Sequence, residues 1–134
     1  MCGLAAIFSY GPRGVPVNRE ELMRIRESMI SRGPDGSGLW LSKNNRVGLA
    51  HRRLAIIDLN DSASQPMSDI GNRISLVFNG EIYNFKELRA KLEAKGYKFR
   101  TNSDTEVLLH LYLEYGRDMV RHLRGMYAFV FGIN

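Results

Sequence analysis

Apolar residues in this chain gather into runs of strand length, and Asn/Ser-x-x-Glu patterns that open helices stand between them. Residues 4–8 form the first apolar run. It starts almost at the first residue, so the N-terminus is expected to be held in a sheet. Residues 10–14 read as a Gly-Pro turn. Asn18 with Glu21 starts a helix, and Leu22, Ile25 and Met29 give it one apolar stripe. Gly33-Pro34 must end it. Strands are expected at 38–42, 47–51 and 53–57, with Asn44-Asn45 as a hairpin turn, and residues 60–66 as a loop. Another strand is expected at 73–78, with Asn79-Gly80 at its end. Asn84 with Glu87 opens a second helix that Gly96 closes. Residues 97–101 read as a short strand. Ser103 with Glu106 opens a third helix, ending at Gly116. A short helix at 117–123 and a strand at 126–131 complete the pattern. Strands and helices mix without strict βαβ alternation, which predicts α+β: helices on antiparallel or mixed sheets.

The chain has 134 residues, enough for one domain, and 44% are hydrophobic, enough for a core. No apolar run is long enough to cross a bilayer, and no secretory signal is present, so the expected location is the cytoplasm, with no membrane partner. The net charge of +5 raises the question of nucleic acid. Its basic residues are scattered among acids, without an aromatic-basic platform, so no nucleic-acid partner is expected. His51, His110 and His122 are widely spaced and read as ordinary buried or surface side chains. A single cysteine excludes an internal disulfide, and no metal-binding Cys/His cluster is visible.

That cysteine is Cys2. Removal of Met1, favoured by a small second residue, would leave an amine and a thiol on one residue. An α-amine with a pKa of about 7.7–8 can serve as general base, and a thiol becomes a nucleophile on losing its proton. Any chain can carry Cys at position 2, so the rest of the sequence must supply the meaning.

It does so as an ordered set. Met1-Cys2-Gly3-Leu4 precedes Arg32-Gly33-Pro34-Asp35-Gly36, Ala50-His51-Arg52-Arg53-Leu54-Ala55-Ile56-Ile57-Asp58 and Gln65-Pro66-Met67. Then come Phe78-Asn79-Gly80-Glu81-Ile82-Tyr83-Asn84, Ser103-Asp104-Thr105-Glu106 and Gly125-Met126-Tyr127-Ala128-Phe129. The chain resembles, over essentially its whole length, the class II glutamine amidotransferase domain of the asparagine synthetase family. It departs from the usual family pattern at Ser31, where His is common.

The resemblance implies an N-terminal-nucleophile hydrolase fold, an αββα sandwich of antiparallel sheets. It implies hydrolysis of L-glutamine to glutamate and ammonia through a thioester on Cys2. Attack on the amide creates an oxyanion, which the family binds with the residues matching Asn79 and Gly80. Arg53 matches the family's clamp for the α-carboxylate, a role suited to a planar fork. Arg52 should point the other way if the segment is extended. Asp104 matches the acid that binds the α-ammonium group, with Glu81 a second candidate and the Ile56 carbonyl a further one. Arg32 and Asp35 read first as scaffold.

No cofactor or metal is expected for this half-reaction. In the family a C-terminal synthetase domain uses ATP and Mg²⁺ to activate aspartate and receives the ammonia. That domain is not in the sequence. The chain stops just after a strand, so it reads as a truncated glutaminase domain, residues 1–134, expected to be poorly stable or inactive alone. A homodimer is a possible assembly. Glucosamine-6-phosphate synthases and purine-pathway amidotransferases are rival resemblances, and so is an enzyme of the same branch acting on a surface-sugar precursor. A binding module that had lost catalysis would show a damaged site, and Cys2, Asn79, Gly80, Arg53 and Asp104 are all present.

Overall fold

The computed structural model describes residues 2–55 and 63–134. Among them the strands form two three-stranded antiparallel sheets. The first sheet contains β1 (Gly3–Phe8), β2 (Gly36–Leu41) and β3 (Val47–Arg53), in the order β1-β3-β2. The second contains β4 (Met67–Ser68), β5 (Ile74–Ile82) and β6 (Gly125–Ile133), in the order β4-β5-β6. Helix α1 (Arg19–Ser28) follows β1, while α2 (Phe85–Ala94) and α3 (Asp104–Tyr115) lie between β5 and β6. A 3-10 helix, Gly116–His122, leads into β6.

Period-two alternation divides each sheet into an inner and an outer face. Gly3, Gly48 and Arg52 share the outer face of the first sheet, where Leu22 and Met29 from α1 and its C-cap pack. Leu49, His51 and Arg53 point to the inner face, and Leu49 and Trp40 close on Gly132 of β6. On β5, Leu76, Phe78 and Ile82 face a core built with Leu88, Leu92 and Leu108 of α2 and α3. Burying each such side chain contributes roughly 1.5–3 kcal/mol. Ser75, Val77, Asn79 and Glu81 therefore face the first sheet. The layers run helix, sheet, sheet, helix: the α+β sandwich expected from the sequence.

Local chemistry explains the element boundaries. Asn18 accepts the Glu20 and Glu21 N–H groups at 2.9 and 3.1 Å, opening α1 where expected. Asn45, at φ 53°, makes the β2–β3 turn. Ser103 accepts the Thr105 N–H at 3.1 Å and opens α3. Three expectations change. The segment expected as a strand at 53–57 contributes only Arg53, to the end of β3; Leu54 and Ala55 are outside any strand, and 56 and 57 lie outside the described residues. The 60–66 expectation falls partly there too. Residues 97–101 form no strand, because their N–H groups go elsewhere: Glu106 accepts from Arg100 N at 2.9 Å and from Thr101 N and Oγ1 at 2.7 Å each. Asn84 does not cap α2 with its side chain; it donates to His122 O at 2.9 Å and accepts from Arg124 N at 3.0 Å, tying the approach to β6 against the start of α2.

Glu106 is 1% exposed yet remains the charged partner of this loop. Burial pushes its carboxyl upward, but the Arg100 and Thr101 donors outweigh it and hold it below the usual range. Glu106→Gln turns one acceptor into a donor facing donors. It is expected to destabilise the fold by about 2–4 kcal/mol, read by urea denaturation.

Candidate active site

Cys2 lies one residue before β1, beyond the last ladder pair, Gly3 with Arg52. Three contacts hold it. Arg32 Nε donates to the Cys2 carbonyl at 3.3 Å, the Leu54 N–H donates to Sγ at 3.2 Å, and Sγ lies 3.6 Å from the Leu54 carbonyl. Leu54 is a contact that sequence reasoning missed; its only signal was its place after the Arg53 position. Arg32 and Asp35 both bond to the backbone at this corner: Arg32 to Cys2, and Asp35 by accepting the Ala55 N–H at 2.9 Å.

Arg52 and Arg53 separate as extended backbone requires. Arg52 is buried on the outer face, donating to Gly33 O at 2.9 Å and lying 3.5 Å from Glu27. Arg53 ends β3 on the inner face, the face towards β5.

Asn79 and Gly80 do not sit at the end of a strand. They are the sixth and seventh residues of β5, which runs on to Ile82 because β6 pairs with it throughout. Asn79 is on the inner face with Glu81. Gly80 has φ 143°, and a Cβ there would lie 2.1 Å from the Met126 carbonyl oxygen, so only glycine fits. Towards this end the inner face of β5 becomes more exposed: Asn79 is half-buried and Glu81 is exposed, whereas Ser75 and Val77 further along are fully buried.

Asp104 opens α3 beside the same strand, its Oδ2 accepting the Ile82 N–H at 3.3 Å. Burial raises its pKa, and the Glu81 charge adds to the rise, despite the backbone donors that lower it. Two carboxylates at one strand end, one of them buried, leave negative charge that a cation would relieve. Ile56 lies outside the described residues, as does Met1.

His51 is another residue that sequence reasoning undervalued. It is fully buried on the inner face of β3, with Nε2 3.0 Å from the Phe78 carbonyl, while its Nδ1 has no hydrogen-bond partner among the described residues. A carbonyl can only accept, so Nε2 carries the proton. Burial lowers its pKa to about 4, the Phe78 bond opposing and the Arg53 charge reinforcing the shift. His51 is therefore neutral in the fold near neutral pH but titrates near 6.5 when unfolded. The unfolded chain binds more protons between those values, so stability is full above pH 6.5 and is lost as pH falls towards 4. The expected loss is about 3 kcal/mol, measured by urea denaturation across that range.

Among the described residues no cluster of His, Cys, Asp and Glu could hold a metal ion, and no helix is long and apolar enough to cross a membrane.

A cysteine at the head of β1, an inner-face arginine at the end of β3 and an Asn-Gly step within the facing strand β5 are set in an αββα sandwich. The fold matches that of the Bacillus subtilis glutamine phosphoribosylpyrophosphate amidotransferase, with a TM-score of 0.80 at 22% identity, over 97% of this chain and 35% of that one. The glutamine amidotransferase domain model matches residues 1–132, and the chain belongs to that family. Its relatives include asparagine synthetase [glutamine-hydrolyzing] 1 of Bacillus subtilis (strain 168), 44% identical over 131 residues, and the Arabidopsis thaliana protein of the same name, 43% identical over 130. Amidase chry2 of Gibberella zeae is 42% identical over 138 residues. Each match covers 97% of this chain but only 20–21% of the relative, so the chain spans about a fifth of their length.

Proposed function

We propose that this domain hydrolyses L-glutamine to glutamate and ammonia, with Cys2 as nucleophile after removal of Met1. The observation that carries the reading is the Cys2 thiol fixed at the head of β1, at the end of the sandwich where Arg53 closes β3. The freed α-amine takes the thiol proton, directly or through a water. Sγ then bonds to the amide carbon, and the oxyanion is met by the Asn79 side-chain amide and the Gly80 N–H. The C–N bond breaks as the amine returns the proton, and ammonia leaves. Water adds to the thioester, the C–S bond breaks, and glutamate departs with the thiol restored. Arg53 holds the α-carboxylate of glutamine, and Asp104, with Glu81, holds its α-ammonium group. The Ile56 carbonyl is a further proposed contact. None of these steps calls on a metal or cofactor.

In the full-length protein we assign the ammonia to ATP- and Mg²⁺-dependent conversion of aspartate to asparagine by a C-terminal domain. The names of the relatives from Bacillus subtilis and Arabidopsis thaliana support this. A second reading, an amidotransferase of the same branch with another acceptor, draws on the Gibberella zeae relative, which carries a different name at nearly the same identity.

Intact mass of the full-length protein, before and after treatment with a glutamine-like diazoketone, tests the reading. Loss of Met1 and one adduct on Cys2 is expected. A protein with Met1 removed and glutamine hydrolysis intact after Cys2 is blocked would overturn it.

Asp104→Asn provides a second check. Removing a charge-assisted contact to the ammonium group is expected to raise the glutamine KM by about 10- to 100-fold. Because burial already disfavours the Asp104 carboxylate, the same change should leave the melting temperature unchanged or raise it. A lowered melting temperature with unchanged KM would assign Asp104 to the helix start alone.

A further inference from the structure

We propose that His51 and Gln65 are positioning residues for this amide-hydrolysing site: they grip the backbone of Phe78, one at its C=O and the other at its N–H, and so fix Asn79-Gly80 against Arg53 and Asp104. The inference rests on the glutaminase reading and adds residues to it.

The geometry is specific. In an antiparallel strand, alternate residues turn their N–H and C=O towards opposite neighbours. On β5, the row of Leu76, Phe78, Gly80 and Ile82 lies on the side away from β6. Leu76 meets β4, which is only two residues long. At Phe78 side chains take over from the missing strand. Gln65 Oε1 accepts the Phe78 N–H at 2.6 Å, and His51 Nε2 donates to the Phe78 carbonyl at 3.0 Å. Both side chains are buried. Each leads to another part of the site. His51 stands two residues before Arg53 on the same face of β3. Gln65 donates from Nε2 to Thr105 Oγ1 at 3.3 Å, next to Asp104 in the first turn of α3. Phe78 immediately precedes Asn79. One peptide-bonded residue is thus tied to the strand carrying Arg53 and to the helix carrying Asp104.

Satisfying buried backbone groups is a structural task that these side chains also perform. A purely structural role would lower stability and leave the kinetic constants of the folded protein alone. Positioning makes a different demand. Arg53 and Asp104 bind ground-state glutamine, whereas Asn79 and Gly80 act on the oxyanion. A loosened Asn79-Gly80 step should therefore reduce kcat and spare KM.

The test uses the full-length protein and a glutaminase assay, with melting curves to confirm folding. His51→Phe removes the donor, while His51→Gln puts an amide N–H near the Nε2 position. His51→Phe is expected to lower kcat about 10- to 100-fold with KM changed less than about twofold, and His51→Gln to recover to within about threefold of the parent. If His51→Phe does not fold, Gln65→Met against Gln65→Glu poses the same question, since only the second keeps the acceptor for Phe78. An unchanged kcat in a folded donor- or acceptor-free variant overturns the proposal. Equal losses in the conservative and non-conservative variants, or KM rising in step, overturn it too. A parent protein that does not hydrolyse glutamine would remove the glutaminase reading itself, and this inference with it; an active parent with an indifferent His51→Phe removes only the inference.

Discussion

Cys2→Ser is expected to cut glutamine hydrolysis by about 10⁴-fold or more while leaving the fold intact. Serine fills nearly the same volume and can still accept the Leu54 N–H that now reaches Sγ at 3.2 Å. What changes is the nucleophile. A hydroxyl gives up its proton far less readily than a thiol, and an α-amine of pKa about 7.7–8 is too weak a base to compensate. The measurement is glutaminase activity of the full-length protein beside its melting temperature. Stability should move by less than about 0.5 kcal/mol. Hydrolysis within about tenfold of the parent would mean that another group attacks the amide, and the N-terminal nucleophile would have to be abandoned.

Gly80→Ala should damage both stability and activity, for one reason. A methyl group there would sit 2.1 Å from the Met126 carbonyl oxygen and 2.7 Å from the Tyr127 Cα, on a residue with φ 143°. Neither obstacle is a flexible side chain that could swing away. The strand β6 must move, or the backbone of Gly80 must flip to a region that alanine tolerates. Destabilisation of about 2–4 kcal/mol is expected in urea denaturation. Any folded remainder should have lost about 100-fold or more in kcat, because the Gly80 N–H is displaced with the peptide. Full activity in a stable Gly80→Ala protein would show that the close β5–β6 approach is not needed and that Gly80 is not an oxyanion donor.

Local sequence signals were reliable where a residue's partners lie within a few positions. Asn18 and Ser103 open their helices because the N–H groups they accept are two or three residues away. The opposed directions of Arg52 and Arg53 follow from strand period alone. Failures came where a residue's partners lie outside its own helix or strand. Asn84 has a helix-opening pattern, but its partners are His122 and Arg124, nearly forty residues on. Glu106 was expected to complete a capping box, and it draws the Arg100 and Thr101 amides out of any sheet instead. Asn79-Gly80 was expected at the end of its strand because nothing local reveals that β6 will pair beyond it. At the candidate site the ordered motifs named Cys2, Asn79, Gly80, Arg53 and Asp104 through resemblance. Leu54, His51 and Gln65 have contacts that only the packing of two sheets and a helix can create.

The side-chain bonds along β5 also bear on what can add to its edge. A strand edge with open N–H and C=O groups invites any extended polypeptide to add itself. Here the Phe78 N–H and C=O are occupied by Gln65 and His51, and the Ile82 N–H by Asp104. A peptide laid along this edge would find its partners taken on either side of Gly80. The arrangement closes this edge of β5 to an added strand on both sides of Gly80, using side chains where a longer neighbouring strand would otherwise be needed.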